Sequence, residues 1–280
     1  MKKVVFITGC SSGIGKALAI EFSKNNYQVI ATARKIDSIK ELSALGIEIR
    51  QLDVVNKSEI DSTVETVFTE YKKIDILINN AGYGLMAPML DIADDELENQ
   101  FATNVYAPLR LIKKIAPKMI KAKQGVIVNI GSISGIVTTP FSGAYCASKA
   151  AIHSFSDALR MELKPFGINV ISVKPGAIKS NFGERAMKTA KELFKDNSIY
   201  TSLNNSILKR ANGSQVVATP ANKFAKEIVK LLNEKKYPAN LLIGKKSFFL
   251  PFLQKVLPTK MLDSILIKKF GLDRINYEQS

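Results

Sequence analysis

The sequence contains no tryptophan, one histidine and two cysteines in 280 residues. Cys10 and Cys146 are too few for a disulfide framework, so we expect a thiol-reducing compartment. The lone His153 has no cluster of cysteine or histidine around it, and we predict no metal site. No apolar run approaches the ~20 residues that a membrane-spanning helix needs, and the apolar stretch near the N-terminus is too short for a secretory signal. These absences favour a cytoplasmic protein, or one bound peripherally to a membrane.

Acidic residues are also scarce. The chain has 25 Asp and Glu against 40 Lys and Arg, for a formal net charge of +15. Residues 1–182 hold 22 basic and 17 acidic side chains, whereas residues 183–280 hold 18 and 8. Such an excess favours anionic partners, namely phosphates, acidic lipids or nucleic acid, without choosing among them. The alternative is that the charge only keeps the surface soluble.

Short β-branched runs alternate with amphipathic helical stretches through the first 180 residues. This alternation predicts a doubly wound α/β fold, in which a parallel Rossmann-like sheet carries helices on both faces. We expect residues 1–244 to form a single domain and residues 245–280 to be an apolar and basic C-terminal extension of it. The predicted strands cover residues 3–8, 28–33, 48–52, 75–78, 125–130, 168–173 and 239–243. The predicted helices cover residues 13–25, 36–45, 58–71, 94–123, 144–164 and 221–233, with weak helical character over 180–215.

A glycine-rich segment, residues 8–15, follows the first predicted strand and reads Thr-Gly-Cys-Ser-Ser-Gly-Ile-Gly. Glycines let a backbone turn tightly against a pyrophosphate, and the helix that follows offers free N–H groups and the positive end of its dipole. The spacing G-x3-G-x-G differs from the G-x-G-x-x-G of the long-chain dinucleotide fingerprint. Its place after the first strand of a βαβ unit favours dinucleotide binding over an ordinary turn. The predicted contacts are Gly9, Ser11, Ser12, Gly13, Ile14 and Gly15.

The end of the second predicted strand discriminates between dinucleotides. A carboxylate there would bind the adenosine ribose of NAD and repel a 2′-phosphate. This chain has Arg34 and Lys35 instead. A guanidinium can bind a phosphate in bidentate fashion and stack on adenine, so we predict NADP(H). The alternative is that both cations simply begin a solvated helix.

Four further motifs follow in order: Asn79-Asn80-Ala81-Gly82, Asn104, Gly131-Ser132, and Tyr145 with Lys149. Together with the glycine-rich segment, they resemble the short-chain dehydrogenase/reductase superfamily over roughly residues 1–182. The resemblance implies a catalytic tetrad of Asn104, Ser132, Tyr145 and Lys149, in which Asn104 would hold a proton-relaying water. It also implies that the adenosine half of the cofactor is bound by Asp53, Val54, Asn80, Ala81 and Gly82. The nicotinamide half would be bound by Tyr145, Lys149, Pro175, Gly176, Ile178 and Ser180.

The residues themselves suit this chemistry. Tyr145 and Lys149 are four apart on a predicted helix and share a face. A nearby ammonium stabilises a phenolate, so we expect Lys149 to lower the pKa of Tyr145 from about 10. Tyr145 then serves as general acid in reduction and general base in oxidation. Ser132 would hydrogen-bond the substrate oxygen. On the same helix, we interpret His153 as a packing or surface residue and Cys146 as a bystander.

Within the superfamily, residues 29–34 and 79–84 look most like one branch. It contains 17-beta-hydroxysteroid dehydrogenase-like enzymes, retinol dehydrogenase-like enzymes and 1-acyldihydroxyacetone-phosphate reductases. This resemblance implies lipid metabolism and a carbonyl or secondary alcohol substrate that is bulky and apolar or acyl-bearing. The alternative is a catalytically idle NADP-sensing or regulatory protein on the same fold. Superfamily members commonly assemble, so we expect a homo-oligomer.

Residues 247–272 combine apolar and basic side chains, and two prolines and several lysines prevent them from spanning a bilayer. One interpretation places this segment in a membrane interface, with phenylalanines inserted and lysines near acidic headgroups. The other packs it over the substrate pocket or a subunit interface. Nucleic-acid binding would need stacking aromatics along a basic face. Phe248, Phe249 and Phe252 cluster with leucines, which favours burial, and we predict no nucleic-acid partner.

Overall fold

A computed structural model describes residues 2–275. Its centre is a seven-stranded sheet in the order β3-β2-β1-β4-β5-β6-β7, and every neighbouring pair is parallel. The chain winds outward in both directions from β1 and β4, which makes the gap between them a topological switch point. The predicted α/β fold is confirmed. The strands are β1 (Val4–Ile7), β2 (Gln28–Ala33), β3 (Glu48–Gln51), β4 (Ile76–Asn79), β5 (Gly125–Ile130), β6 (Ile168–Pro175) and β7 (Asn240–Ile243).

Helices cover both faces of this sheet, and each face has its own apolar core. Alternate residues of β1 divide between them: Val5 and Ile7 enter one core, and Val4 and Phe6 enter the other. This period of two explains why the strand is apolar throughout, since both of its faces are buried. The helices are α1 (Gly13–Lys24), α2 (Lys40–Ser43), α3 (Lys57–Tyr71), α4 (Asp94–Phe101), α5 (Ala107–Lys121), α6 (Gly143–Leu163), α7 (Phe182–Glu192), α8 (Asn204–Asn212), α9 (Ala221–Asn233), α10 (Phe249–Val256) and α11 (Thr259–Phe270).

Two predicted helices differ in the structure. The helix expected over 36–45 is a 3-10 turn, Ile36–Ile39, followed by the single turn α2. The helix expected over 94–123 is divided into α4 and α5 by a π-helical segment, Ala102–Tyr106. Pro108 supplies the reason, because it lacks the N–H that an α-helix would donate to the carbonyl of Asn104.

The C-terminal extension forms α10 and α11. Leu262, Leu266 and Phe270 of α11 are buried in a third apolar cluster that also contains Tyr145. α11 therefore packs against the rest of the domain. The prediction that the phenylalanines of the extension are buried is wrong, because Phe248, Phe249 and Phe252 are 68, 63 and 61% exposed. Phe249 and Phe252 lie on the outer side of α10, Phe248 immediately precedes this helix, and none of the three belongs to that cluster. Within residues 2–275, no helix combines the length and apolar composition needed to cross a bilayer.

Candidate active site

A cavity of about 1610 Å³ opens along the carboxyl ends of the strands, where ligands of open α/β sheets bind. Its walls come from segments that follow β1, β2, β3, β4, β5 and β6, which brings together motifs far apart in the sequence. Most of the predicted site residues line it: Gly9, Ser11, Ser12, Gly13, Ile14, Arg34, Asp53, Val54, Asn80, Ala81, Gly82, Ser132, Tyr145, Lys149, Pro175, Gly176, Ile178 and Ser180. Gly15 and Asn104 lie outside the lining.

The glycine-rich loop is tied to the end of β4. Thr8 Oγ1 accepts hydrogen bonds from the backbone N–H groups of Asn80 and Ala81, both at 3.0 Å. In return, Asn80 Nδ2 donates to the carbonyls of Thr8 and Gly9, at 2.9 and 3.1 Å. Gly9 has a φ of +74°, and a Cβ there would lie 2.8 Å from Ala81 Cα. The loop can therefore take this course only with glycine.

Gly15 supports the loop from behind. It was predicted as a cofactor contact, but it is buried in α1 and does not reach the cavity. A Cβ at this position would collide with the Gly9 carbonyl oxygen and the Asn80 amide nitrogen. Gly15 therefore lets the N-terminus of α1 approach the loop closely, so that the free N–H groups of the helix face the cavity.

Arg34 and Lys35 stand exposed on the cavity wall at the end of β2. Within residues 2–275, neither forms an ion pair with a carboxylate. Asp53 lies in the same wall, and its Oδ1 accepts a hydrogen bond from the backbone N–H of Val55 at 3.1 Å. This end of the cavity thus offers two cations without acidic partners.

Ser132, Tyr145 and Lys149 lie together deeper in the cavity, and each is at most 9% exposed. The Ser132 hydroxyl lies beside the Tyr145 phenol, where its hydrogen bond lowers the pKa of that phenol. Lys149 Nζ is 5.9 Å from the centre of the Tyr145 ring and donates a 2.8 Å hydrogen bond to the carbonyl of Ile130. The end of β5 and the first turns of α6 position these three side chains.

Burial dominates the titration of this cluster. It raises the pKa of Tyr145 to about 12, against the opposing effects of the Ser132 hydroxyl and the Arg210 charge. It also lowers the pKa of Lys149 to about 8. The expectation that Lys149 brings the pKa of Tyr145 below 10 is therefore wrong for this arrangement. The Lys149 ammonium donates to the Ile130 carbonyl, and burial outweighs the lowering of the phenol's pKa by the Ser132 hydroxyl and the Arg210 charge.

Asn104 is buried in the π-helical segment, behind Gly82. Its Nδ2 donates to the Tyr83 carbonyl at 3.0 Å and to Ser148 Oγ at 3.1 Å. Its Oδ1 accepts from the Tyr83 N–H at 3.2 Å. A Cβ on Gly82 would lie 2.9 Å from Asn104 Oδ1 and 3.6 Å from Lys149 Nζ. The amide oxygen and the ammonium therefore border the same small space.

His153 contacts the site in a way that the sequence interpretation missed. It is 6% exposed, which confirms packing rather than a surface position. Its Nε2 accepts a 3.3 Å hydrogen bond from the backbone N–H of Ser132. Burial, together with the charges of Lys174 and Lys149, lowers the pKa of His153 to about 3. The imidazole is therefore neutral and accepting at pH 7. The sequence contains one signal of this contact: His153 is four residues after Lys149 and therefore lies on the same face of the helix.

Residues 180–215 supply three more polar side chains that no sequence pattern indicated. Gln215 Oε1 accepts a 2.9 Å hydrogen bond from the backbone N–H of Ser180. Arg185 Nη2 lies 3.5 Å from Ser11 Oγ, over the glycine-rich loop. Arg210 lines the cavity on the side of Tyr145. Among the described residues, no group of three or more His, Cys, Asp or Glu is arranged to hold a metal ion.

A parallel sheet with a glycine-rich loop at its switch point, and a Ser–Tyr–Lys cluster in the same cavity, defines an oxidoreductase of the dinucleotide-dependent class. A family profile described as short chain dehydrogenase matches residues 3–191. The chain is 36% identical over 275 residues to a short-chain dehydrogenase/reductase of Pestalotiopsis microspora, covering 97% of this chain and 95% of that protein. The chain belongs to the short-chain dehydrogenase/reductase family.

Two further likenesses extend over nearly the whole chain. An NADPH-dependent 1-acyldihydroxyacetone phosphate reductase of Saccharomyces cerevisiae is 30% identical over 281 residues, covering 98% of this chain and 93% of that protein. The crystal structure of a short-chain dehydrogenase from Streptomyces avermitilis superposes with a TM-score of 0.79 at 28% identity. The superposition covers 97% of this chain and 98% of that one. Both likenesses include the C-terminal extension.

Proposed function

We propose that this protein is an NADP(H)-dependent oxidoreductase that interconverts a carbonyl and a secondary alcohol on a bulky apolar or acyl-bearing substrate. The observation that carries the proposal is the meeting of Ser132, Tyr145 and Lys149 in the cavity whose other end is the glycine-rich loop. We treat residues 245–280 as an extension of the same domain, since α11 shares the apolar cluster of Tyr145.

The residues present fit NADP(H). Gly9 and Gly13 line the cavity at points where the loop runs close to other segments, since a Cβ would lie 2.8 Å from Ala81 Cα and 2.6 Å from Ser180 Cβ. The N-terminus of α1 supplies N–H donors for a pyrophosphate. Arg34 and Lys35 suit a 2′-phosphate, because a cation without an acidic partner has its donors available. The similar yeast protein is named for its use of NADPH. When bound, the cofactor supplies or accepts the hydride.

The chain's own residues handle the substrate oxygen and its proton. In reduction, Tyr145 donates its phenolic proton to the oxygen, and Ser132 stabilises the charge that develops there by hydrogen bonding. Lys149 returns a proton toward the phenol, and Asn104 Oδ1 borders the space from which a water would supply Lys149. His153 is a positioning residue that fixes the backbone of Ser132.

The substrate end of the cavity includes a set of apolar side chains, which supports a bulky or acyl-bearing substrate and a role in lipid metabolism. Its lining includes Met86, Val137, Phe182, Leu250 and Phe270. These side chains come from α7, α10, α11 and the segments that precede α6. The similarity to the yeast acyl-dihydroxyacetone phosphate reductase supports the same class of substrate.

The test is NADPH oxidation with a panel of ketones and aldehydes, including steroid ketones, retinal and acyl-dihydroxyacetone phosphate. We expect the Tyr145→Phe variant to lose more than 90% of kcat on every accepted substrate, because it lacks the proton donor. NADPH binding, followed by fluorescence, stays near the wild-type affinity and shows that the variant is folded. Retention of more than a tenth of kcat would contradict the role of Tyr145. A wild type that binds NADPH and turns over nothing in the panel would favour the idle sensor.

We also propose that α10 contacts an acidic lipid surface. Phe248, Phe249, Phe252 and Val256 form an exposed apolar face, hereafter the α10 face, with exposed fractions from 52 to 68%. Lys246 and Lys255 stand exposed beside it. Leu250 of the same helix lines the cavity. An interfacial helix of this kind would open the cavity toward a lipid-dissolved substrate.

The remaining proposals concern assembly and location. We propose a homo-oligomer, supported by Phe155 and Met161 of α6, which are 40 and 62% exposed. Light scattering after size exclusion measures the mass.

We place the protein on the cytoplasmic side of a membrane, where the buried free thiols Cys10 and Cys146 remain reduced.

A further inference from the structure

Arg210 is a cation in the cavity wall that hydrogen-bonds only uncharged partners. Its Nε donates to Thr139 Oγ1 at 2.7 Å, and its Nη2 donates to Ser142 Oγ at 3.1 Å. Within residues 2–275, no carboxylate lies within ion-pair distance of it. A guanidinium has five N–H donors, so donors remain beyond these two bonds. Partly buried charges are usually paired, and among the described residues this guanidinium has no acidic partner.

Other cations converge on the same part of the wall. Ser206 and Arg210 are one turn apart on α8, and both line the cavity. The end of α11 adjoins them, because a Cβ on Gly271 would lie 3.7 Å from Ser206 Oγ. The additional cations that line this region are Lys209, Lys268, Lys269 and Arg274. Glu192 is the acidic residue of the nearby lining, and it lies 3.8 Å from Lys188.

This cluster stands on the substrate side of the cavity. Thr139 and Ser142 belong to the segment that immediately precedes α6, the helix that carries Tyr145. The predicted cofactor phosphate contacts are instead at the glycine-rich loop and Arg34. The charge of Arg210 acts on Tyr145, which places the guanidinium near the reacting end of the cavity.

We propose that Arg210, with the lysines at the end of α11, binds a phosphate monoester on the carbonyl substrate. This inference rests on the proposed function and names the polar end of its substrate. The planar fork of Arg210 suits two phosphate oxygens, and the flexible lysines neutralise the remaining charge. With the apolar lining of the same cavity, the site fits an amphiphile that has an acyl chain, a ketone and a phosphate.

The test compares two ketones that differ in one group: a short-chain acyl-dihydroxyacetone phosphate and the same acyl-dihydroxyacetone without phosphate. The measured quantity is the ratio of their kcat/KM values. We expect the wild type to prefer the phosphorylated ketone at least tenfold, and Arg210→Met to lose at least tenfold of that preference, mainly through KM. Arg210→Lys should retain part of it. The control Lys226→Met removes an exposed charge of α9 outside the cavity and keeps the wild-type ratio.

An unchanged ratio in Arg210→Met would overturn the inference. Equal losses of kcat/KM on both ketones would also overturn the inference, because they would mean that Arg210 only holds the segment before α6 in place. A carboxylate analogue preferred over the phosphate would reassign the anion. If the wild type reduces neither ketone but reduces another carbonyl of the panel, the proposed function stands; if it reduces no carbonyl of the panel, the proposed function fails. The inference is then judged by thermal unfolding with NADPH present: hexyl phosphate, but not hexanol, must raise the midpoint of the wild type, and not that of Arg210→Met.

Discussion

At the scale of residues, we propose that Arg34, a single side chain at a strand end, sets the choice of cofactor. It lies on the cavity wall with Lys35, at a strand end where a carboxylate would favour NAD. No charge within the chain competes for its guanidinium among the described residues. Its exposure means that water and salt screen part of the attraction to a phosphate. We therefore expect its main effect to be on the selectivity between NADPH and NADH.

We expect Arg34→Ala to raise the KM for NADPH about tenfold and to leave the KM for NADH within a factor of two. The difference arises because the 2′-phosphate is the group that NADH lacks. Initial rates with both cofactors measure it, and Lys24→Ala, at an exposed position at the end of α1, is the matched control. Equal use of both cofactors by the wild type would contradict the prediction.

At the scale of elements, the interruption between α4 and α5 is what places Asn104. A continuous α-helix would satisfy the backbone of Asn104 through the N–H of residue 108, which proline lacks. The π-helical turn widens the helix at this point, and such turns are frequent at functional sites. As a result the Asn104 amide holds Tyr83 and faces the space beside Lys149.

The α10 face is the element whose role is most open to experiment. We expect the full-length protein to co-sediment with vesicles of phosphatidylcholine and phosphatidylserine, more strongly at low salt than at physiological salt. The double variant Phe249→Ser with Phe252→Ser should reduce the bound fraction to less than half, because it removes the inserted side chains.

The matched control for the α10 face is Phe166→Ser, which changes a phenylalanine that is 46% exposed in another part of the fold. It should bind vesicles as the wild type does. If the double variant also binds like the wild type, α10 does not contact lipid.

At the scale of the whole molecule, the single histidine makes the free energy of unfolding depend on pH in a way that can be measured. His153 is neutral when folded because burial lowers its pKa to about 3, whereas in the unfolded chain its pKa is about 6.5. Below pH 6.5 the unfolded state takes up a proton that the folded state does not. Acid therefore favours unfolding, and this contribution to stability falls until the pH reaches the folded pKa.

We expect His153 to account for a loss of about 2 kcal/mol in the free energy of unfolding between pH 7 and pH 5. Urea unfolding at both pH values measures the loss. The variant His153→Gln keeps an acceptor for the Ser132 N–H but does not titrate. Between pH 7 and pH 5, the free energy of unfolding of this variant should fall by about 2 kcal/mol less than that of the wild type. Because each protein is compared with itself at two pH values, a lower overall stability of the variant does not affect the result. Equal losses would show that the imidazole is charged in the folded state.

Much of the fold was determined by local patterns in the sequence. The apolar period of β1 requires burial on both sides, and the glycines of residues 9–15 permit a loop that other residues would block. Tyr145 and Lys149 share a face because an α-helix repeats every 3.6 residues. The strand and helix periods depend on neighbours within a few positions, so a single sequence predicts them.

Tertiary structure alone decided the rest. Arg210 reaches Thr139 across 71 positions of sequence, and this contact depends on how α8 packs against α7 and α11. The direction of the pKa shift of Tyr145 depends on burial, which no local pattern encodes. The sequence also favours burial of the α10 face, which is exposed in the structure. A short apolar run has the same composition whether it lies in a core or on a surface. The amino-acid sequence determines that α10 is apolar. The packing of α11 against α10 determines which side of α10 faces outward.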